Sequence, residues 1–396
     1  MSHGAPVNRG MDDDVFAQFT DQLERYVHER LIPAEADVIA NDRIPDDIVA
    51  EMKEMGLFGL TVPEEYGGAG LIMSQYARVV QILAYAAPAY RSIFSINVGM
   101  FNSAIKNGGT EAQKAEWWPR IAAGEIACFG LTEPGSGSDS AAMQTTARPD
   151  PDGNGWILNG TKRYITNAPH ADVALIMART DKDNLPKNAH VSAFIVPMDI
   201  AGVSVGSPDK KMGQAGAHIA DIMLDDAKVT GEALLGGETG QGFRFAMMSL
   251  DNGRISVGAM SVGYARRALD SALRYASERK AFGEPIASFQ MIQQMLAESE
   301  TEIYAAEAMM RDVSARADAG ENILVRAAAF KVFASEMCGR VVDRVVQIYG
   351  GAGYLAEYEA ERFFRDARIF RIYEGTTQIL YLQIAKHMLR DFAAQA

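Results

Sequence analysis

A chain of 396 residues with a formal net charge of −13, 48% hydrophobic and 22% charged residues has the composition of a soluble globular protein of two or three domains. The acidic balance argues against a nucleic-acid surface or an anionic membrane as partner, and no apolar run reaches membrane-spanning length, so no membrane insertion is expected. The cysteines, Cys128 and Cys338, form no CxxC or metal-like pattern and read as free thiols of a reducing compartment. The N-terminal stretch has one arginine before Asp12, Asp13 and Asp14, unlike a secretory or basic transit segment, so a cytoplasmic enzyme is expected.

Proline placement divides the chain. After Pro208 only Pro285 remains, which leaves the stretch beyond residue 240 free to form long helices, whereas prolines 134, 149, 151, 169, 186, 197 and 208 mark a turn-rich middle. Helical spacing is predicted over Asp12 to Ile32, Pro45 to Met55, Tyr76 to Ala87 and Ile93 to Lys106, with a loop from Gly56 to Gly70. A Trp117-Trp118-Pro119 corner closes this part near residue 125, its indoles expected in core or interface packing. Short β-rich runs follow: Ile126 to Leu131, Met143 to Arg148, Trp156 to Leu158, Val173 to Ala178, Val191 to Val196 and Ile219 to Leu224. Asp152-Gly153 and Asn159-Gly160 signal tight turns. Strands without intervening helices predict a small antiparallel barrel or sandwich rather than a parallel nucleotide-binding sheet. From Gly240, amphipathic helices are predicted over Ile255 to Glu278, Met291 to Ala319, Asn322 to Tyr349 and a final pair around Glu374, together a four-helix bundle. The predicted fold is therefore mainly α with a central β domain: residues 1–125 helical, 126–240 β, 241–396 a helical bundle.

The stretch Ile372 to Gln378 holds a carboxylate at a junction. The segment Glu359 to Ile372 carries Arg362, Arg365, Arg368 and Arg371 at three-residue spacing among phenylalanines, as a two-faced helix does; Gly375 breaks it, and Thr376 or Thr377 can cap the next helix. Glu374 is thus a candidate catalytic base, against the plainer reading that it offsets a helix dipole; the helix start favours its charged form and burial beside Tyr373 disfavours it. Thr132-Glu133-Pro134-Gly135-Ser136-Gly137-Ser138-Asp139 packs glycines and hydroxyls into a loop suited to a phosphate or a flat ring, or forms a flexible turn, and is no Walker loop. Tyr164-Ile165-Thr166-Asn167 either sandwiches a planar cofactor or ends a strand. Gly351-Ala352-Gly353-Tyr354-Leu355-Ala356 spells GxGxxA but follows a helical pattern, so it is rejected as a dinucleotide fingerprint. Asp251-Asn252-Gly253-Arg254 reads as a capped helix start, and Arg279-Lys280-Ala281-Phe282-Gly283 as the same helix's basic end. No His/Cys cluster offers a metal site and no serine stands in a GxSxG elbow.

These runs, with Leu131 ahead of the Thr132 loop, Gln347-Ile348-Tyr349-Gly350-Gly351-Ala352-Gly353-Tyr354 and Tyr373-Glu374-Gly375-Thr376-Thr377-Gln378, resemble in order and content the flavin-dependent acyl-CoA dehydrogenases along nearly the whole chain. The resemblance implies FAD bound between domains and across a subunit interface in a homotetramer built as a dimer of dimers. It implies that Leu131, Thr132, Tyr164 and Thr166 face the flavin ring, with the Thr166 hydroxyl near N5. Arg279, Phe282, Gln290, Gln347, Gly351, Thr376 and Gln378 would hold the rest of the cofactor, several from a neighbouring subunit. Ser138, Asp251, Arg254 and Gly375 would border the acyl-CoA. Glu374 would abstract the α-proton as the β-hydride passes to the flavin, giving the trans-2-enoyl-CoA; the Glu374 backbone N–H and a ribityl hydroxyl would stabilise the thioester oxygen. An electron-transfer flavoprotein would accept the electrons. Tyr164 stands where Trp is common in the family, and the position from which some branched-chain and long-chain members take their base is Gly253, which cannot act. The resemblance also leaves room for a small acyl-CoA oxidase, a non-desaturating relative or a CoA-binding scaffold, and places the acyl pocket partly at Ser95 to Ala104 and the start of the Ile255 helix without fixing the acyl group.

Overall fold

The computed structural model describes residues 10–180 and 190–394. Helices α1 (Asp13–Tyr26), α2 (Ile32–Asn41), α3 (Asp46–Glu54), α4 (Met73–Leu83), α5 (Pro88–Ile96), α6 (Asn102–Gly108) and α7 (Glu111–Ala122) precede the first strand. Wider π-type turns at Val27–Leu31 and Asn97–Phe101 carry α1 into α2 and α5 into α6 without a break. Local chemistry sets the starts: Asp12 caps α1, and Thr110 with Gln113 forms a reciprocal capping box for α7. The expected Trp117-Trp118-Pro119 corner instead lies within α7, and the chain turns only after Ala122. The indoles are buried as expected, and Trp118 Nε1 donates to Asn102 Oδ1 at 2.6 Å.

Strands β1 (Ala127–Gly130), β2 (Thr146–Pro149), β3 (Gly155–Thr166), β4 (Val173–Arg179), β5 (Val191–Pro197), β6 (Val203–Val205) and β7 (Ile219–Thr230) form one sheet in the order β1-β4-β2-β3-β7-β6, with β5 also paired to β4. Two pairings depart from the antiparallel expectation, because β1 and β2 both run parallel to β4. The strand β4 is buried throughout and takes partners on both edges, a direction that a purely apolar run cannot signal in sequence. Asp152-Gly153 forms the expected turn between β2 and β3, closed by Asp150 N–H to Gly155 O at 2.9 Å. Asn159-Gly160 does not turn the chain: it lies inside β3, where the register against β7 shifts. Gly160 has φ +147° there, and a Cβ would come within 2.5 Å of Thr145 Oγ1, so the glycine serves a bulge.

Helix α8 (Gly242–Glu278), a hairpin of β8 (Lys280–Ala281) and β9 (Glu284–Pro285), and helices α9 (Gln290–Asp318), α10 (Leu324–Tyr349), α11 (Glu359–Ala367) and α12 (Thr377–Ala393) complete the chain. Because α8 already begins at Gly242, Asp251 to Arg254 lie inside it and do not open it as expected. The helix packs against α4 and α6 as well as α9 and α10, so the start and end of the chain share one apolar core. A second core fills the space between α6, α7 and one face of the sheet, and a third lies on the other face.

Two asparagines tie α5 to the sheet. Asn97 accepts from the Ala127 N–H at 2.8 Å, and Asn167, left-handed at φ +65°, donates to the carbonyls of Ser92 and Ile93 at 3.1 and 3.0 Å. The Thr132 loop is clamped to β3 by a buried ion pair, Lys162 Nζ to Glu133 Oε1 at 2.7 Å. The Gln144 and Thr145 N–H groups also donate to Glu133. Burial alone would raise the Glu133 carboxyl, but Lys162 and these donors outweigh it and hold the group below its usual range. Lys162→Met leaves a buried unpaired carboxylate and is expected to cost about 3–5 kcal/mol in denaturant unfolding, most of it recovered in Lys162→Met/Glu133→Leu.

Candidate active site

After α11 a tight turn, Arg368–Arg371, delivers the chain to Glu374 and Gly375, both left-handed at φ +55° and +93°. A glutamate is uncommon in that conformation, and its cost is of order 1–3 kcal/mol. Three contacts hold it. Thr376 caps α12 by accepting from the Ile379 N–H (3.3 Å), Thr377 Oγ1 donates to Glu336 Oε1 (2.8 Å), and Lys331 Nζ, from α10, donates to the Gly375 carbonyl (2.8 Å). The Glu374 side chain then lies over α8. A Cβ built on Gly253 would stand 2.5 Å from Glu374 Oε2 and 2.8 Å from Oε1, so the carboxylate occupies the space that any side chain at 253 would need. Glu374 Oε2 is buried with no hydrogen-bond partner, and the Glu374 N–H joins no backbone hydrogen bond among the described residues.

Burial raises the Glu374 carboxyl to about 7, against the opposing pull of Arg91, Arg254 and Lys331 in that order. Lys331 is itself fully buried, which lowers it to about 8 even though Glu374 favours its charge. Arg254 is committed elsewhere, Nη1 donating to Asp251 Oδ1 at 2.6 Å, and burial raises the Asp251 carboxyl despite that partner. Tyr373 stacks on Phe370 with centroids 6.3 Å apart, and burial raises its phenol. The arrangement is a partly buried carboxylate raised toward neutrality, with one buried and unpartnered oxygen, suited to taking a proton from carbon.

Of the residues read from sequence, Glu374, Gly375, Asp251 and Arg254 come together here. Leu131 and Thr132 are held to β3 just before Tyr164, by Lys162 Nζ to Leu131 O at 3.4 Å and Arg163 N–H to Thr132 O at 2.8 Å; Tyr164 is 57% exposed at φ +59° beneath the Arg163 guanidinium, 4.6 Å from its ring centroid. Thr166 ends the same strand, and Ser138 is exposed in the Thr132 loop. Arg279 stands between α8 and β8, Phe282 lies in the turn of the β8–β9 hairpin and Gln290 begins α9. This group adjoins Gln347 and Gly351 through the stacked rings of Tyr275 and Tyr349, 4.0 Å apart. Arg279, Phe282, Gln290, Gln347, Gly351 and Gln378 are exposed, Phe282 at 97%. A single chain thus presents two open sets. One has an aromatic ring, a hydroxyl and backbone edges that suit a planar ring; the other has the Arg279 guanidinium at an exposed corner, which suits a pyrophosphate. Both fit a flavin dinucleotide.

Two residues of the Glu374 cluster carry no motif in the sequence. Lys331 stands on the apolar stripe of α10 with Ala327, Ala334 and Cys338, and a lysine at core spacing was the available signal. Arg91 sits in the same way among the buried residues of α5. Among the described residues no group of His, Cys, Asp and Glu could hold a metal ion, and no helix is long and apolar enough to cross a membrane.

Three family models cover the chain in order: acyl-CoA dehydrogenase N-terminal domain at residues 14–125, middle domain at 128–227 and C-terminal domain at 240–389. The chain is 38% identical over 368 residues to the human mitochondrial short-chain specific acyl-CoA dehydrogenase, covering 93% of this chain and 88% of the relative. It superposes on butyryl-CoA dehydrogenase of Megasphaera elsdenii with a TM-score of 0.91 at 33% identity, covering 96% and 100% of the two chains. A chain solved in work on the electron transferring flavoprotein of Acidaminococcus fermentans and flavin-based electron bifurcation gives a TM-score of 0.91 at 36% identity, covering 96% and 99%. Matched domains along nearly the whole chain, in a fold of helical ends around a curled sheet, place it among the flavin-dependent oxidoreductases that act on acyl-CoA thioesters. The chain belongs to the acyl-CoA dehydrogenase family and is an FAD-dependent acyl-CoA dehydrogenase.

Removing a neighbouring cation must raise a carboxyl that the cation holds down. Lys331→Met is therefore expected to move the Glu374 titration from about 7 to higher pH, followed by infrared difference spectroscopy against Glu374→Gln; an unmoved carboxyl band would contradict this balance of charges.

Proposed function

We propose that Glu374 removes the α-proton of a saturated acyl-CoA while a hydride leaves the β-carbon, giving the trans-2-enoyl-CoA. The observation that carries this is the buried, unpartnered Oε2 of Glu374, on a carboxyl whose affinity for a proton is raised to about 7. A base of that strength is ionised often enough at neutral pH to act, yet holds the proton it takes. Bound FAD supplies the acceptor for the hydride. The uncommitted Glu374 N–H suits the thioester oxygen, where negative charge grows as the α-proton departs. Lys331 fixes the Gly375 carbonyl and so the position of this N–H and of the carboxylate together.

Leu131, Thr132, Tyr164 and Thr166 are assigned to the flavin ring, and Arg279, Phe282, Gln290, Gln347, Gly351, Thr376 and Gln378 to the remainder of FAD. Ser138, Asp251, Arg254 and Gly375 are assigned to the acyl-CoA. The division at about residues 125 and 240 follows the changes from helix to sheet and back. The exposure of the second FAD set, together with Leu382, Met388, Leu389 and Phe392 along α12, favours a homotetramer in which neighbours cover these surfaces. An electron-transfer flavoprotein is the proposed acceptor, on the strength of the similarity to the Acidaminococcus chain. The buried free thiols of Cys128 and Cys338 suit a reducing cytoplasm.

Glu374→Gln is expected to keep its FAD colour and bind acyl-CoA, and to lose about 100- to 10,000-fold in the rate of anaerobic flavin bleaching. Bleaching as fast as in the unmodified enzyme would remove Glu374 from the role of base. Light scattering of the holoenzyme is expected to return four chain masses, and Phe282→Asp to lower both that mass and the retained FAD.

A further inference from the structure

Arg163 and Tyr164 share one place in the sheet. Lys162 pairs with Ile222 of β7 and Ile165 with Ala220, so two residues of β3 stand against Asp221 alone, as in a bulge. Neighbours in a regular strand point to opposite faces. Here the left-handed Tyr164, at φ +59°, brings its ring under the guanidinium of the residue before it, 4.6 Å from the ring centroid. A bulky residue rarely takes that conformation, so something must hold it.

Arg163 is itself pinned from two sides. Nη1 donates to Asp221 Oδ2 at 2.6 Å, and Nη2 to Asp209 Oδ1 at 3.2 Å from the loop between β6 and β7. The other oxygens of these acids, Asp221 Oδ1 and Asp209 Oδ2, are buried with no partner, so neither acid divides its hold. The Asp209 N–H donates to Ile219 O at 2.9 Å, which ties that loop to β7, and the Arg163 N–H ties β3 to Thr132. One ion pair would close the bulge; two carboxylates also fix the plane of the guanidinium, and with it the ring below. Ion pairs this near the surface add little stability, and Tyr164 stays largely exposed. A pinned cation over an open aromatic ring is suited to a ligand that stacks on that ring.

We propose that Arg163 is a positioning residue for the cofactor: it holds Tyr164 for the flavin ring and supplies a fixed positive charge there, which raises the reduction potential of bound FAD. This rests on the assignment of Tyr164 to the flavin made above and adds a role for a residue outside that set. A hydride brings the flavin one proton and two electrons and so leaves it one unit more negative, while the α-proton stays with Glu374. A nearby cation favours the more negative form. The cluster sets one cation against two carboxylates, but the guanidinium is the member over the ring, and Coulomb energy falls with distance, so its sign prevails there.

The test is anaerobic reductive titration of the substrate-free holoenzyme against reference dyes, with FAD content and the visible flavin band recorded alongside. Arg163→Gln should lower the two-electron reduction constant of bound FAD about tenfold, or ~30 mV. Arg163→Lys, which keeps the charge, should recover at least half of that shift. Asp209→Asn, which removes a negative charge and leaves the guanidinium in place, should move the potential upward, and it decides the matter should Arg163→Gln not retain FAD. A potential unmoved or raised in Arg163→Gln, or unmoved or lowered in Asp209→Asn, would overturn the proposal. Tyr164→Ala separates the two readings. If it shifts the flavin band while Arg163→Gln leaves the potential in place, Tyr164 faces the flavin and the role of Arg163 alone has failed. If neither variant changes band or potential, the assignment of Tyr164 has failed and the proposal falls with it.

Discussion

The Glu374 carboxylate rests on the bare backbone of α8 at Gly253, and the rest of the site is arranged to keep it there. A helix interior normally disfavours glycine by about 1 kcal/mol, so its presence inside a 37-residue helix calls for a reason. The reason is steric: a methyl group at 253 would already overlap the carboxylate. Two elements of the chain therefore address one volume, and the carboxyl can come from the turn before α12 only because α8 contributes none. This explains in space why Gly253 and Glu374 occur together, which sequence resemblance could state only as a departure from some members of the family.

The turn that carries Glu374 is aimed by α11, and α11 is held by buried charges drawn from distant parts of the chain. Arg362 donates to Glu35 of α2 at 2.7 Å, Arg267 of α8 donates to Glu359 at 2.7 Å, and Asp366 accepts from the Tyr264 hydroxyl at 2.9 Å and from the Gln214 N–H. Helices from the start of the chain, a loop beside the sheet and the central helix thus converge on one short element. Such pairs add little net stability relative to apolar packing, but breaking one is expensive, so they fix a single orientation. With α11 fixed, an uncommon left-handed glutamate can be held with its Oε2 buried.

Much of this was legible in the residues. Proline distribution separated helix from sheet, apolar spacing placed α9, α10 and the greater part of α8, and the junction chemistry of Ile372 to Gln378 offered Glu374 as a candidate base beside the plainer reading that it offsets a helix dipole. Readings failed where one local signal has two tertiary outcomes. Asn159-Gly160 is a hairpin pair in isolation, but the partner strand β7 is long enough to continue past it, and the glycine became a bulge. Asp251 and Arg254 have the look of a helix start, yet the ten residues before Asn252 are also helical, and their mutual bond spans one turn within α8. Strand direction in β4 was invisible because a wholly buried strand has no alternation to read. Lys331 and Arg91 were hidden for a different reason. A cation in a helix is ordinarily a solvated one, and only the packing of α10 and α5 reveals that these two are inside.

The central claim is that Glu374 takes a proton from the carbon beside a thioester. The most direct measurement is exchange of that hydrogen with D2O in a CoA thioester whose β-carbon is replaced by oxygen, so that no hydride can leave. The holoenzyme should deuterate the α-position rapidly, and Glu374→Gln should fall to the rate seen without enzyme. Exchange by the variant as fast as by the unmodified enzyme would contradict the account.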